Sequence, residues 1–416
     1  METLEQNKKE RQYYIDWLRI LLILSVFLFH IGMIFNNWHW HVKNDVICEY
    51  KSILWYIMVF LGRWRMPLLI LISGAGTYFA LGKRTSWQYL RERFKRLFIP
   101  LAVGIFTLVP VQVFVEKSAQ YNSLFDFYPH MFEGIYPTGN FSWHHLWFIA
   151  YLFFIALIIS PFLNFFRSGQ FDLFVGRIEK NVSRKLGANI FLIPLVLSQI
   201  KLREYFPENT HGFVDDWAAI VFFLIFFLSG YILLSNKKMV ESIRKQKHLF
   251  LFESVLSTIL LLTVPYLFNS ENAMNLTWDI LEAFVAWSCS LTAIGYAKQY
   301  LNFNNKFRKF ANEAIYPFYL LHQPIIVVVG YFMVQWDIAI IWKVLLITAT
   351  SFTLTVAIYW FLIRPFNVLR FVFGMKWITK ESQELSPQGI LNPIVITNKN
   401  QAFHLQNKHI ESTKSF

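Results

Sequence analysis

One apolar run near the start of the chain, YYIDWLRILLILSVFLFHIGMIF (residues 13–35), carries Asp16, Arg19 and His30. An ionisable group in a membrane-spanning helix is costly, so such residues tend to face a polar interior and mark a working site. Arg19 and His30 are eleven residues apart, about three helical turns, so they share a face and are separated by roughly 16 Å along the axis. Asp16 lies three residues before Arg19 and is spaced to pair with it. The plainer alternative is an interfacial anchor made by Asp16 and Arg19, with His30 a hydrogen-bonded packing residue. This helix alone does not choose between the two.

Other candidates are scattered along the chain. Arg91, Arg93, Lys95 and Arg96 put four positive charges within six residues, enough to hold phosphates, although such clusters also serve only to orient helices. Arg63 and Arg65 have no obvious carboxylate beside them; they either snorkel to an interface or line a polar cavity that takes an anionic or hydroxyl-rich group. His144 and His145 precede a Leu-Trp-Phe sequence and fit a substrate contact or an interfacial belt. Glu253 and Glu282 are acids inside apolar runs, available to an intramembrane Arg or His. His322 sits in IYPFYLLHQPII, where Pro317 and Pro324 are expected to break the regular hydrogen bonding, as in helices that line a cavity. His39, His41 and Asp45 resemble a metal set only superficially, and no metal is assigned. The common hydrolase, zinc-protease and phosphate-loop motifs are absent from the sequence.

The elements that must position these groups are membrane helices. Of 416 residues, 55% are hydrophobic and only 16% charged, too few charges for a soluble chain of this size. About ten runs approach the ~20 apolar residues needed to cross a bilayer, which defines an all-α, polytopic helical bundle. The expected spans start near Tyr13, Ile53, Phe98, Leu146, Gly187, Trp217, Leu249, Ile280, Ala314 and Ile338. Pro67 should bend or split the second. The first is too long for a cleaved signal peptide. The net charge of +13 is concentrated in alternate loops, the signature of orientation in a cell membrane rather than of nucleic-acid binding. Both termini then lie in the cytoplasm: residues 1–12 as a short leading segment, 13–373 as the membrane domain, and 374–416 as a flexible tail. Cys48 and Cys289 fall too far apart in this topology for a disulfide. The echo between LISG in the second span and FLSG in the sixth is attributed to helix contacts rather than to a repeat.

Taken together, the residues suit an enzyme that moves a group from a phosphate-bearing cytoplasmic donor, or a transporter with a charged central site. Several segments in order resemble the acyltransferase-three family of integral membrane acyltransferases. They are YYIDWLR with His30, WRMPLLILISG, RERFKRLFIPL, HLWFIAYL, IGYAKQYLN and ANEAIYPFYLLHQPIIVVVGYF, and together they span about Tyr13 to Phe373. Arg19 and His30 match the family's Arg-x10-His signature, and Arg93 and Arg96 its Arg-x-x-Arg pattern. Within the family the likeness is to the branch associated with succinylation of glucans.

The resemblance implies no permanently bound cofactor. It implies acyl-coenzyme A as a co-substrate and a sugar hydroxyl as acceptor. On that basis His30 is expected to act as general base, with Arg19 on the same face and Asp16 orienting Arg19. An acyl-histidine route remains open beside it. Arg91, Arg93 and Arg96 are expected to hold the coenzyme phosphates, and Arg63, Arg65, His145, Glu282 and His322 to contact the substrate. A flippase for a glycan or lipid-linked intermediate, and a non-catalytic scaffold, are the competing readings. The sequence assigns neither the acyl group nor an oligomeric state.

Overall fold

A computed structural model describes residues 12–378, apart from 83, 137, 208–209, 211 and 268–269. The unit up to Met375 contains the helices; a second unit, Lys376–Phe416, falls almost wholly outside the described residues, as does the expected tail.

Twelve helical elements build the bundle: α1 (Tyr13–Phe35), α2 (Ile53–Leu81), α3 (Ser86–Glu116), α4 (His144–Phe162), α5 (Gly169–Val182), α6 (Gly187–Leu202), α7 (Trp217–Leu233), α8 (Lys237–Lys245), α9 (Lys247–Leu267), α10 (Glu271–Tyr300), α11 (Lys306–Met333) and α12 (Ile340–Ile363). Eight are long and apolar enough to cross a bilayer. The expected sixth span is α7, which turns through 103° into α8, and the expected fifth is the shorter α6. The ten apolar segments therefore occur in the expected order, two of them short of a full span.

Boundaries differ where polar turns continue a helix. The Arg91–Arg96 segment, placed in a loop from its charge, is helical. Thr85 accepts from the Gln88 backbone and the Gln88 side chain returns the bond, a capping box that starts the helix eleven residues before its apolar run. A π turn at Phe94–Phe98 and a break at Leu108 then interrupt α3. Pro67 does not split α2, nor do Pro317 and Pro324 split α11; both remain continuous helices of 29 and 28 residues. Each proline deletes one N–H, and all three are buried against neighbouring helices.

Two contacts set the frame around the site. A Cβ on Gly74 of α2 would stand 1.9 Å from the Phe227 carbonyl oxygen, and one on Gly230 of α7 1.9 Å from that of Leu71. The echoing Ser-Gly pairs are thus the two halves of one close helix crossing. Helix α1 runs parallel to α11, tied near its start by Asp16 to Arg308 and further along by Phe27 against Phe318. Cys48 and Cys289 are free thiols.

Candidate active site

The α1–α11 pair brings two histidines together. His30 Nδ1 lies 2.8 Å from His322 Nε2, with the rings 7° from parallel. His322 Nδ1 lies 2.6 Å from the Tyr319 carbonyl oxygen. A carbonyl only accepts, so His322 carries its proton on Nδ1 and presents a bare Nε2. His30 must then donate from Nδ1, which leaves its Nε2 as an unprotonated acceptor. No residue among those described hydrogen-bonds that Nε2.

A proline supplies the next partner. Pro324 has no N–H for the Leu320 carbonyl, and His145 Nε2 occupies that acceptor at 3.0 Å. Tyr319 in turn donates its hydroxyl to the His145 carbonyl. Gln112 Nε2 reaches His145 Nδ1 at 3.5 Å, and Gln323 donates to Gln112 at 2.7 Å. The buried network continues to His41, whose Nδ1 is 2.5 Å from Glu116. Tyr136 also donates to Glu116, at 3.2 Å; burial and the neighbouring carboxylate push its phenol above the ordinary tyrosine value.

His30 opens on a cavity of about 240 Å³ that Arg63, Arg65, His145, Arg203 and Glu282 also line. Two of its three guanidiniums are neutralised: Arg63 by Glu282 at 2.9 Å and Arg203 by the buried Asp216 at 3.0 Å. Asp216 also caps α7 through the Ala219 N–H. Arg65 differs. It is 3% exposed, donates to the carbonyls of Leu61 and Ser25, lies 3.9 Å over the Phe29 ring, and has no carboxylate partner among the described residues. The result is a buried cation beside a base, a place where developing negative charge is stabilised.

The structure sorts the expected residues. His30, Arg63, Arg65, His145 and Glu282 share the one cavity. Arg63, with no carboxylate near it in sequence, pairs with Glu282, the intramembrane acid 219 residues away. His322 is wholly buried behind His30 rather than on the cavity wall. Asp16 and Arg19 lie at the far end of α1, where Asp16 binds Arg308 and stands 3.6 Å from Arg19, while Arg19 reaches Asn312 at 3.3 Å. Arg93 donates to Thr77, Arg96 pairs with Glu92, and Arg91 is exposed; none lines this cavity. Sequence reasoning missed Arg308, Gln112 and Gln323, which join elements far apart in the chain. Only the need of Asp16 for a buried cation pointed toward Arg308.

The fold and site define a polytopic helical membrane protein with an intramembrane histidine pair beside an unneutralised arginine. An acyltransferase domain profile matches residues 12–362, most of the chain, and the protein belongs to the acyltransferase-three family. It is similar to the glucans biosynthesis protein C of Salmonella paratyphi B and of Salmonella enteritidis, each 23% identical over 171 residues, 38% of this chain. The match spans 41% of the length of those relatives. No solved structure matches.

Proposed function

We propose that this chain is a membrane O-acyltransferase that moves an acetyl or succinyl group from acyl-coenzyme A to a hydroxyl of a glycan. The bare Nε2 of His30, a residue that lines the cavity and whose Nδ1 donates to His322, carries the reading. His30 Nε2 takes the proton of the acceptor hydroxyl as its oxygen attacks the thioester carbonyl. The C–S bond breaks, and the thiolate recovers the proton from the imidazolium. Arg65 stabilises the oxyanion formed between these steps. Arg19 and Asp16 act from the far end of α1, by holding it in place.

The basic end of the bundle faces the cytoplasm and the donor, and the acceptor enters past His145 and the Trp38 and Trp147 rings. The cell membrane of a bacterium is the setting this chemistry implies. Succinyl rests on the resemblance to the family branch associated with succinylation of glucans and on the charge of Arg65, which can bind a second carboxylate.

The test is thioester cleavage by the purified chain with acetyl- and succinyl-coenzyme A over a panel of glucans. Loss of turnover in His30→Ala, by about 10²–10⁴-fold with coenzyme binding retained, is the expected result. Full activity in that variant overturns the assignment. Movement of a glycan across vesicles without covalent change would favour transport.

A further inference from the structure

A second cavity, of about 610 Å³, lies at the basic end of the bundle. Lys237, Lys238, Lys245 and Lys298 line it, with Glu241 the one carboxylate among its lining residues. That carboxylate is taken up by Arg244, and among the described residues only Lys238 of the four lysines has an ion pair, with Glu179 at 3.0 Å. The cavity therefore carries an excess of positive charge that the described residues do not neutralise. Tyr78 and Phe79 add two aromatic rings to its wall. Clustered lysines beside aromatic faces suit a nucleotide with several phosphates, the cations meeting the phosphates and the rings the base.

Its position relates it to His30. The cavity is bounded by Gln12 at the start of α1, Tyr78 on α2, Leu234 just past α7 and Lys298 on α10. The same four helices give the upper cavity His30, Arg65, Phe222 and Glu282. From Pro67 to Tyr78 is about 16 Å along α2, and from Glu282 to Lys298 about 24 Å along α10. A ligand anchored below by its phosphates needs a long, slender arm to present a reacting group to His30, and an acyl thioester of coenzyme A has that form. The arginine helix offers less. Arg96 and Arg84 share Glu92, Arg93 is held by Thr77 and the Tyr89 ring, and neither cavity is lined by Arg91, Arg93 or Arg96.

We infer that the lysine cavity between the ends of α1, α2, α7 and α10, and not the Arg91–Arg96 helix, binds the phosphates of the acyl donor. This rests on the acyl-coenzyme A reading above. An anionic lipid headgroup offers the same phosphate chemistry, so the experiment must separate the two.

Binding of coenzyme A itself, which is a product and cannot turn over, is measured by calorimetry on the full chain in nanodiscs of phosphatidylcholine alone and of phosphatidylcholine with phosphatidylglycerol. The variants are Lys237→Gln/Lys245→Gln/Lys298→Gln, the single changes Lys237→Gln and Lys245→Gln at exposed positions, and Arg177→Gln/Lys180→Gln/Lys185→Gln, which removes equal charge from nearby α5 and its exit. In both lipids the triple lysine variant should weaken binding by about tenfold or more. Each single change should weaken it measurably, and the control by less than about threefold. Unchanged affinity in the lysine variants, or equal loss in the control, overturns the assignment. So does an effect seen only with phosphatidylglycerol, which would make the cavity a lipid site. If the wild type binds no coenzyme A in either lipid, the acyl-coenzyme A reading itself fails; retained binding in the lysine variants sinks only the placement of the phosphates.

Discussion

Arg308 on α11 donates to the carboxylate of Asp16 on α1, and the same sequence offset of 292 then sets His30 against His322. The two contacts are fourteen residues apart on each helix, about four turns and 21 Å. Two parallel helices are thus pinned at one level by a buried ion pair and at another by the histidines. Asp16 bears on His30 through this alignment and not through contact. Arg308→Met removes a buried partner of the Asp16 carboxylate and should cost about 3–5 kcal/mol, the usual penalty for breaking a buried pair. Asp16→Asn/Arg308→Met should recover most of that loss. Thermal unfolding in detergent reads both, and a double variant as unstable as the single one would show that the pair does not fix the register.

His322 is not among the residues lining the His30 cavity, so an effect on that cavity would pass through His30. Removing its Nε2 acceptor frees the His30 ring to rotate or to take the other tautomer, in which the atom facing the cavity is N–H and cannot accept a proton. His322→Ala should lower kcat by about 10²-fold, the low end for loss of a general base, with KM for donor and acceptor little changed. A rise in KM with kcat intact would instead make His322 a substrate contact.

The apolar runs made the helical bundle legible, because hydropathy and alternating loop charge are local properties. His30, Arg65 and Glu282 stood out for the same reason, each being an ionisable residue in an apolar run. Which of them would pair did not. Arg63 meets Glu282 across 219 residues and His30 meets His322 across 292, separations that periodicity cannot bridge. Arg308 was hidden among the polar residues of an expected loop, where nothing local distinguishes a buried guanidinium from an exposed one. Pro324 carried a usable signal: it interrupts the helix hydrogen bonding and frees the Leu320 carbonyl for His145, while α11 stays continuous. The charge run at Arg91–Arg96 drew attention away from the lysines of α8, Lys237, Lys238 and Lys245, which Lys298 of α10 joins only in the fold.

Lys43 closes the end of α1, donating to the carbonyls of Met33 at 2.7 Å and Asn36 at 2.6 Å. Burial lowers its pKa from the ordinary lysine value to about 8. The neutral amine keeps two N–H groups, enough for both carbonyls. Between about pH 8 and the ordinary lysine value the unfolded chain binds the proton and the folded chain does not, so stability from this group rises with pH across that window. Lys43→Met loses both hydrogen bonds and the titration. The wild type should therefore be the more stable at neutral pH, and its margin in thermal unfolding should widen by about pH 9.5. A margin that narrows there would mean that the charged form is the one holding the helix end.

Arg65 is the cavity cation without a carboxylate partner among the described residues, and its backbone acceptors on Leu61 and Ser25 hold it without neutralising it. A buried guanidinium left in this state stabilises whatever negative charge forms beside it, and in the proposed mechanism the tetrahedral oxyanion of acyl transfer forms at His30. Arg65→Gln keeps a polar side chain of shorter reach and removes the charge; kcat should fall by about 10²–10³-fold, as when an oxyanion donor is lost. The succinyl reading adds a second expectation. If Arg65 instead binds the far carboxylate of a succinyl group, the variant should raise KM for succinyl-coenzyme A and leave acetyl transfer nearly intact. Steady-state kinetics with both donors separates the two roles, since an oxyanion donor is lost equally to each acyl group. A variant with wild-type kinetics on both would remove Arg65 from the chemistry.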